Sequence, residues 1–289
     1  ASNVTGLNAN IVRSKISADG LTISYDTTAS NLGGADTNIR NDAYFSVRGP
    51  DGDFSAIIAS VQDQTGALDN TSGVSGEVGL AADGGTIAFE TRSGFLDPDV
   101  TFNNAINIHL RDPADGSTEI LVPLNTSGSR PNGDFFNASL SANGRFVVFE
   151  STATDIVTET DDNGAVNDIF LHDRQTGETR LLSQRTDTIE LNGSFQPSIS
   201  ADGSTVVFLT ANTHDVADDN GLIDVYAYDV ATDTLTLVST SSTGEVANQE
   251  AIAFSGGIDN STPSVSGNGR YVTWTSRASN LVANDTNNT

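Results

Sequence analysis

Hydrophobic and polar positions recur along this chain in the same order at five places, each marked by a glycine. Three residues after the glycine stands a β-branched residue, five after it an aromatic, and seven after it a hydroxyl-bearing residue. Asp or Asn precedes the glycine, and an aliphatic residue stands four positions before it. Recurrence at a period of about sixty residues is typical of a repeat protein, so the repeat is the unit to interpret. The marker glycines are Gly20, Gly84, Gly144, Gly203 and Gly269.

Each repeat predicts four β-strands. The Asp-Gly or Asn-Gly step supplies the positive φ of a two-residue hairpin turn, so it joins strand one to strand two. Strand two alternates with period two, which puts Val147 and Phe149 on one face. A polar loop leads to strand three (168–173 in the third repeat), and a second turn leads to strand four (180–183). No stretch is convincingly helical.

Four antiparallel strands at a near-constant period predict an all-β fold, a β-propeller with four complete blades and an incomplete fifth. The aromatics of strand two are predicted to pack against neighbouring blades. Residues 1–289 would form a single propeller module. The missing hairpin of the fifth blade would come from chain outside this sequence, which would make the 289 residues a fragment, or from another subunit by strand donation. The predicted blades are 16–78, 79–138, 139–197 and 198–260, with a partial blade at 264–289.

Charge and composition narrow the classes of partner. The chain has 38 acidic and 13 basic residues, a formal charge of -25, and no cysteine. Such a charge repels nucleic acid and anionic lipid, so we expect neither a nucleic-acid partner nor membrane insertion. The absence of cysteine excludes disulfides and thiol chemistry. An acidic surface with a single lysine, Lys15, suits saline or calcium-rich surroundings, which favours a secreted or cell-surface location, with the periplasm as alternative.

Two segments of the repeat carry a family resemblance. The units Ser-x-Asp-Gly-x-x-Val-x-Phe and Asp-Ile-Phe-Leu-x-Asp-Arg-x-Thr-Gly resemble the TolB-type, WD-repeat-like β-propeller repeat of bacterial proteins. The resemblance covers nearly the whole chain and implies the propeller fold. It does not imply one function, because propellers resembling this one serve as periplasmic partners, as surface-protein modules and as lids on hydrolases.

The loop between strands two and three carries the chain's recurrent polar pattern. Asp-x-Asn followed by a further Asp offers hard oxygen ligands, of which Ca²⁺ takes about six to eight. Alternatively, Asp and Asn cap turns through their own backbone, and the last Asp holds the start of strand three. The high negative charge favours the ion, because clustered carboxylates cost stability unless they are neutralised. The candidate calcium ligands are Asp36, Asn38, Asp42, Asp161, Asn163, Asp168, Asp218, Asn220, Asp224, Asp285 and Asn287.

Catalysis finds little support in the sequence. There is no Gly-x-Ser-x-Gly motif, and the three histidines, His109, His172 and His214, have no evident serine partner. We therefore predict a non-catalytic structural or binding module, an adhesin segment or a surface-filament subunit. Its partners would be a protein, a polysaccharide or copies of itself. Two alternatives remain open: a propeller scaffold or lid of a polysaccharide or peptide hydrolase, and a periplasmic, TolB-like, partner-binding propeller.

Overall fold

The computed structural model describes residues 8–32, 40–61, 73, 74, 76, 78–92, 96, 105–121, 125, 127–158, 166–183, 193–214, 218, 220–251, 262–283 and 285. By its contacts the chain divides into two compact units. One comprises Ala1–Val122 and Asp134–Gly144, and the other comprises Pro123–Gly133 and Arg145–Thr289. Every regular element of the described residues is a β-strand. No described helix has the length and hydropathy needed to cross a membrane.

The first unit holds two four-stranded antiparallel sheets, each in chain order. The first repeat supplies β1 (Ile11–Ile16), β2 (Thr22–Thr27), β3 (Asp42–Arg48) and β4 (Phe54–Ile58). The second repeat supplies β5 (Gly79–Leu80), β6 (Ile87–Thr91), β7 (Asn107–Arg111) and β8 (Thr118–Ile120). The first strand of the third repeat, β9 (Phe135–Leu140), also belongs to this unit.

The second unit continues the same order of strands. In the third repeat, antiparallel pairing joins β10 (Phe146–Ser151), β11 (Asp168–Asp173) and β12 (Glu178–Leu181). The fourth repeat forms a four-stranded sheet from β13 (Ser194–Ile199), β14 (Thr205–Thr210), β15 (Asp224–Asp229) and β16 (Thr234–Leu237). The fifth repeat pairs β17 (Ser264–Val265) with β18 (Val272–Thr273).

The all-β class and the four-stranded antiparallel sheets are confirmed, whereas the number of blades, the closing of a ring and the single-module organisation stay predictions. The strands β1, β9 and β13 begin at Ile11, Phe135 and Ser194, and β1 pairs with β2 through a bulge between Ile11 and Ser14. The approximate blade limits given above also stay predictions.

The marker aromatics pack between successive repeats, as predicted. In the first unit, Phe89 lies in one core cluster with Phe45 of the preceding repeat. In the second unit, Phe208 shares a cluster with Val148 of the preceding repeat. Trp274 of the fifth repeat packs against a buried cluster that contains Leu209 of the fourth. The two faces of strand two therefore contact different neighbours. Residues at odd positions after the marker glycine lie on one face of the strand, and residues at even positions lie on the other.

Candidate functional site

The predicted calcium ligands lie only partly within the described residues. Asp42, Asp168, Asp218, Asn220, Asp224 and Asp285 are described, whereas Asp36, Asn38, Asp161, Asn163 and Asn287 lie outside the described residues. Asp285 follows β18 at the end of the described chain and is half-buried. The described residues bring Asp218, Asn220 and Asp224 together in the loop of the fourth repeat. Asp42 and Asp168 each stand at the start of a third strand in their own repeat.

These strand-start aspartates share one contact, a clasp between strand three and strand four. In the fourth repeat the Ser239 hydroxyl donates to Asp224 Oδ1 over 2.6 Å, and the Val225 N–H donates to the same hydroxyl over 3.0 Å. The clasp joins the first residue of strand three to the second residue after the end of strand four. Equivalent pairs are Asp42 with Ser60 and Asp168 with Ser183, each at 2.8 Å.

The second repeat indicates that the aspartate and the serine of the clasp act as a pair, because neither residue occurs at its equivalent position there. At the equivalent positions the sequence has Asn107 and Val122. The Asn107 amide donates instead to the Ala105 carbonyl over 2.9 Å. The clasp is thus a side-chain anchor for the strand, which is the turn-capping role considered above. The calcium role is a separate prediction that this contact leaves untested.

The loop of the fourth repeat is the densest polar cluster among the described candidate ligands. The Asn220 amide donates to Asp224 Oδ2 over 3.1 Å and to the Ala247 carbonyl over 3.0 Å. The Tyr226 hydroxyl donates to Asp218 Oδ2 over 2.6 Å. Burial raises the pKa of Asp224, the hydrogen bonds from Ser239 and Asn220 oppose the rise, and the nearby Asp218 charge adds to it. Within the described residues, no group of three or more acidic or histidine side chains is arranged to hold a metal ion.

A second set of carboxylates, on strand two, was not identified from the sequence. They stand six residues after the marker glycine and are at most 2% exposed: Asp26, Glu90 and Glu150. Glu90 Oε1 accepts the Asn137 N–H over 2.5 Å, and Glu150 Oε1 accepts the Gln196 N–H over 2.5 Å. In each case the donor belongs to strand one of the next repeat.

The backbone at these two donors explains why a carboxylate is needed. Asn137 and Gln196 have φ of 51° and 55°, a left-handed conformation that a non-glycine residue adopts at a cost. A buried, charge-assisted hydrogen bond stabilises their N–H groups. Glu150 also accepts from the Asn167 amide over 2.9 Å, so it links the next repeat to the residue before the Asp168 clasp. An acidic residue inside an otherwise apolar strand was the available sequence signal.

A third recurrent feature is a reciprocal bracket between an asparagine and a Ser/Thr-Asn/Asp pair after strand two. In the third repeat, Asn132 Nδ2 donates to Thr154 Oγ1, the Thr154 N–H donates to Asn132 Oδ1, and the Asn132 N–H donates to Asp155 Oδ1, each over 2.9 Å. The bracket holds the end of strand two against the chain before strand one. The same pattern joins Asn8 to Ser30 and Asn31, and Asn248 to Ser279 and Asn280.

The histidines lie in packing positions. His109 is fully buried and stacks on Phe89, with ring centroids 5.5 Å apart. His172 Nδ1 is 2.9 Å from the Thr179 hydroxyl on the neighbouring strand. His214 meets the Tyr226 ring edge-on at 5.1 Å. His109 and His172 lie on third strands and His214 follows β14, and each makes a packing or hydrogen-bonding contact typical of a structural histidine.

Comparison with known proteins identifies the fold. No protein-family model and no curated protein sequence matches the chain. Among solved structures, TolB from Acinetobacter baumannii is similar with a TM-score of 0.51 and 16% identity, over 91% of this chain and 48% of that one. A putative TolB from Agrobacterium tumefaciens is similar with a TM-score of 0.50 and 14% identity, over 96% of this chain and 73% of that one. A puromycin-hydrolyzing peptidase from Mycobacterium tuberculosis reaches a TM-score of 0.49 at 12% identity, over 81% of this chain and 29% of that one.

The chain thus spans about half of the TolB from Acinetobacter baumannii. At these identities the likeness concerns the fold alone. The repeated turn glycines, the antiparallel sheets in chain order and the packing of Phe89 and Phe208 against the preceding repeat within their units agree with that likeness. The chain has the fold of a TolB-type β-propeller.

Proposed function

We propose that this chain is a non-catalytic, protein-binding propeller module that acts in the periplasm, as TolB-type propellers resembling it do. The observation that carries the proposal is the use of its buried polar groups. Asp224, Glu90 and Glu150 bind backbone N–H groups or hydroxyls that hold strands and bulges in place. Carboxylates used in this way support a rigid scaffold, and a rigid scaffold presents loops for recognition.

The charge of the chain indicates the kind of partner. With a formal charge of -25, the surface attracts a partner that presents a basic patch and accelerates their encounter. Binding of this type weakens as salt screens the charges, over a Debye length of about 8 Å at physiological ionic strength. The partner is therefore proposed to be a protein with a basic face. Polysaccharide binding stays a prediction.

A retention experiment with envelope proteins tests the proposal. The chain is immobilised, extract of the periplasm is passed over it, and retained proteins are eluted with a salt gradient. An unrelated acidic protein of similar length and charge is the control for ion exchange. The proposal expects a protein that the chain retains and the control does not, with an affinity that falls as salt rises. Equal retention on both surfaces would contradict it.

The finer functions belong to the same proposal as alternatives to be tested. Calcium in the loops between strands two and three would neutralise clustered carboxylates such as Asp218 and Asp224. A calcium titration would distinguish a ligand role of these carboxylates from a turn-capping role. A cell-surface filament or adhesin function stays a prediction. A hydrolase scaffold would need a catalytic domain joined to the propeller.

A further inference from the structure

The outer strand of the first sheet, β4, differs from the outer strands of the other repeats. Within the described residues β4 pairs with β3 alone, so one of its edges carries no further strand. Segment 54–60 contains no charged residue and no proline, the residues that commonly protect an edge from pairing. The outer strands β8 and β12 are shorter than β4 and contain charged residues, and β16 is also shorter.

The outer edge of β4 presents the backbone groups of three residues. The Ala59 N–H donates to the Ala43 carbonyl over 2.7 Å, and the Gly49 N–H donates to the Asp53 carbonyl over 2.8 Å. Backbone groups alternate in direction along a strand, so residues 53, 55, 57 and 59 direct their N–H and C=O groups towards β3. The residues whose backbone groups point away from β3 are Phe54, Ala56 and Ile58.

An apolar patch lies beside this edge, on the face that the second repeat packs against. Ile57 stands opposite Phe45, which is 2% exposed and shares a cluster with Phe89 of the second repeat. Ile57 and Val47 lie on the same face as Phe45 and are 42% and 36% exposed. The following repeat of the same unit therefore covers Phe45 and leaves the outer part of this face in contact with solvent.

The other repeats have polar residues at the positions of this patch. Their third strands align from the first residue of each, and the counterparts of Val47 are Asp112, Asp173 and Asp229. The cross-strand pairs give the counterparts of Ile57 as Glu119, Arg180 and Thr236. Among the four repeats with a third and a fourth strand, the first alone has two apolar residues at these exposed positions. A contiguous exposed apolar patch beside a pairing edge is typical of an interaction surface.

We propose that β4 binds an extended segment of a partner protein as a fifth strand of the first sheet. The backbone of the segment pairs with the outward N–H and C=O groups of Phe54, Ala56 and Ile58. Its apolar side chains, at alternate positions, pack beside Ile57. The inference rests on the proposed protein-binding function and names the surface that serves it.

The charge of the hairpin indicates the kind of segment. Asp51 and Asp53 are exposed in the turn that leads into β4, and the hairpin has one cation, Arg48, which stacks on Phe54 at 5.9 Å from the ring centroid. The turn is therefore negative, and a basic residue at the end of the segment complements it. A second copy of this chain fits less well, because its formal charge of -25 repels another copy.

Two variants separate the backbone edge from the apolar patch. Ala56→Pro removes an outward N–H and leaves the hydrogen bonds to β3 in place, which is where an edge strand tolerates proline. Ile57→Thr introduces the residue type that the fourth repeat has at this position. Val282→Thr makes a similar change at a residue of the fifth repeat that is 64% exposed, and it is the matched control. Circular dichroism checks that each variant is folded.

The probe is a fluorescently labelled peptide, Lys-Thr-Val-Thr-Val-Thr-Lys with blocked ends, and its binding is followed by anisotropy. We expect equal affinity for the unaltered chain and the control, with Kd about tenfold higher for Ala56→Pro and about fivefold higher for Ile57→Thr. The same peptide with proline in place of the central threonine should bind at least about tenfold more weakly to the unaltered chain. No binding of the first peptide, or equal binding by all four proteins, would overturn the proposal.

Amide hydrogen exchange tests the geometry directly. On binding, exchange should slow at Phe54, Ala56 and Ile58 and stay unchanged at Ser55 and Ile57, whose N–H groups already point to β3. Slow exchange at the first three amides in the free chain would overturn the proposal, because the edge would then be covered already. A periplasmic protein retained equally by the folded Ala56→Pro variant and by the unaltered chain would overturn this site and leave the proposed function standing.

Discussion

Replacing Gly203 by alanine tests the contact between the third and fourth repeats, where the Phe146 ring lies over Gly203, because two separate costs meet at that position. The first cost is conformational, since Gly203 has a φ of 73° and alanine in the left-handed region loses about 1–2 kcal/mol. The second is steric. The new Cβ would be 2.5 Å from Phe146 Cδ2, so the ring must move by about 1 Å to reach an ordinary carbon contact of about 3.5 Å. Such overpacking costs about 1–3 kcal/mol.

The matched control is Gly177→Ala in the same unit. Gly177 has a φ of 76°, and its Cβ would meet nothing within 4 Å. It therefore carries the conformational cost alone, and a reduced unfolded-state entropy returns about 0.4–1 kcal/mol in both variants. We expect Gly177→Ala to lower the free energy of unfolding by about 1 kcal/mol and Gly203→Ala by about 2–4 kcal/mol.

Urea unfolding followed by tryptophan fluorescence measures the difference. The chain has one tryptophan, Trp274, which packs against the fourth repeat in the same unit as both glycines. A double variant, Gly203→Ala with Phe146→Ala, should recover most of the steric part, because the obstructing ring is gone. Equal destabilisation by the two glycine variants, or strict additivity in the double variant, would refute the steric contact between the Phe146 ring and Gly203.

Three further predictions concern the carboxylates. Ser239→Ala should lower the free energy of unfolding by about 1–3 kcal/mol, because it leaves the buried Asp224 oxygen and the Val225 N–H without their shared partner; a double-mutant cycle with Asp224→Ala that shows no coupling would argue against the clasp. If the calcium prediction is right, EDTA lowers the melting temperature and millimolar Ca²⁺ restores it, while an unchanged melting curve in EDTA removes the ion from the account. The Arg145 hydrogen bond lowers the pKa of Asp173 to about 2. The stability that this pair contributes is therefore present above the ordinary pKa of an aspartate and is lost as the pH falls through about 2. The unaltered chain should lose its stability advantage over Arg145→Gln across that range, and an advantage that is constant with pH would contradict the pairing.

Much of the architecture was predictable from the chain because its determinants are local. A marker glycine, a preceding Asp or Asn and a period-two strand define a hairpin within about ten residues. Five copies of that signal predicted the antiparallel meanders, and Phe208 and Trp274 were predicted to pack between repeats. The candidate loop residues were found by the same local pattern, and Asp42, Asp168 and Asp224 do begin their third strands.

The tertiary structure decided what those residues contact, because the partners are distant in sequence. The sequence marked Asp168 but gave no indication that Ser183 holds it. Glu90 and Glu150 reach backbone N–H groups 47 and 46 residues away, which no local pattern encodes. Only packing brings one repeat's strand two against the next repeat's bulge.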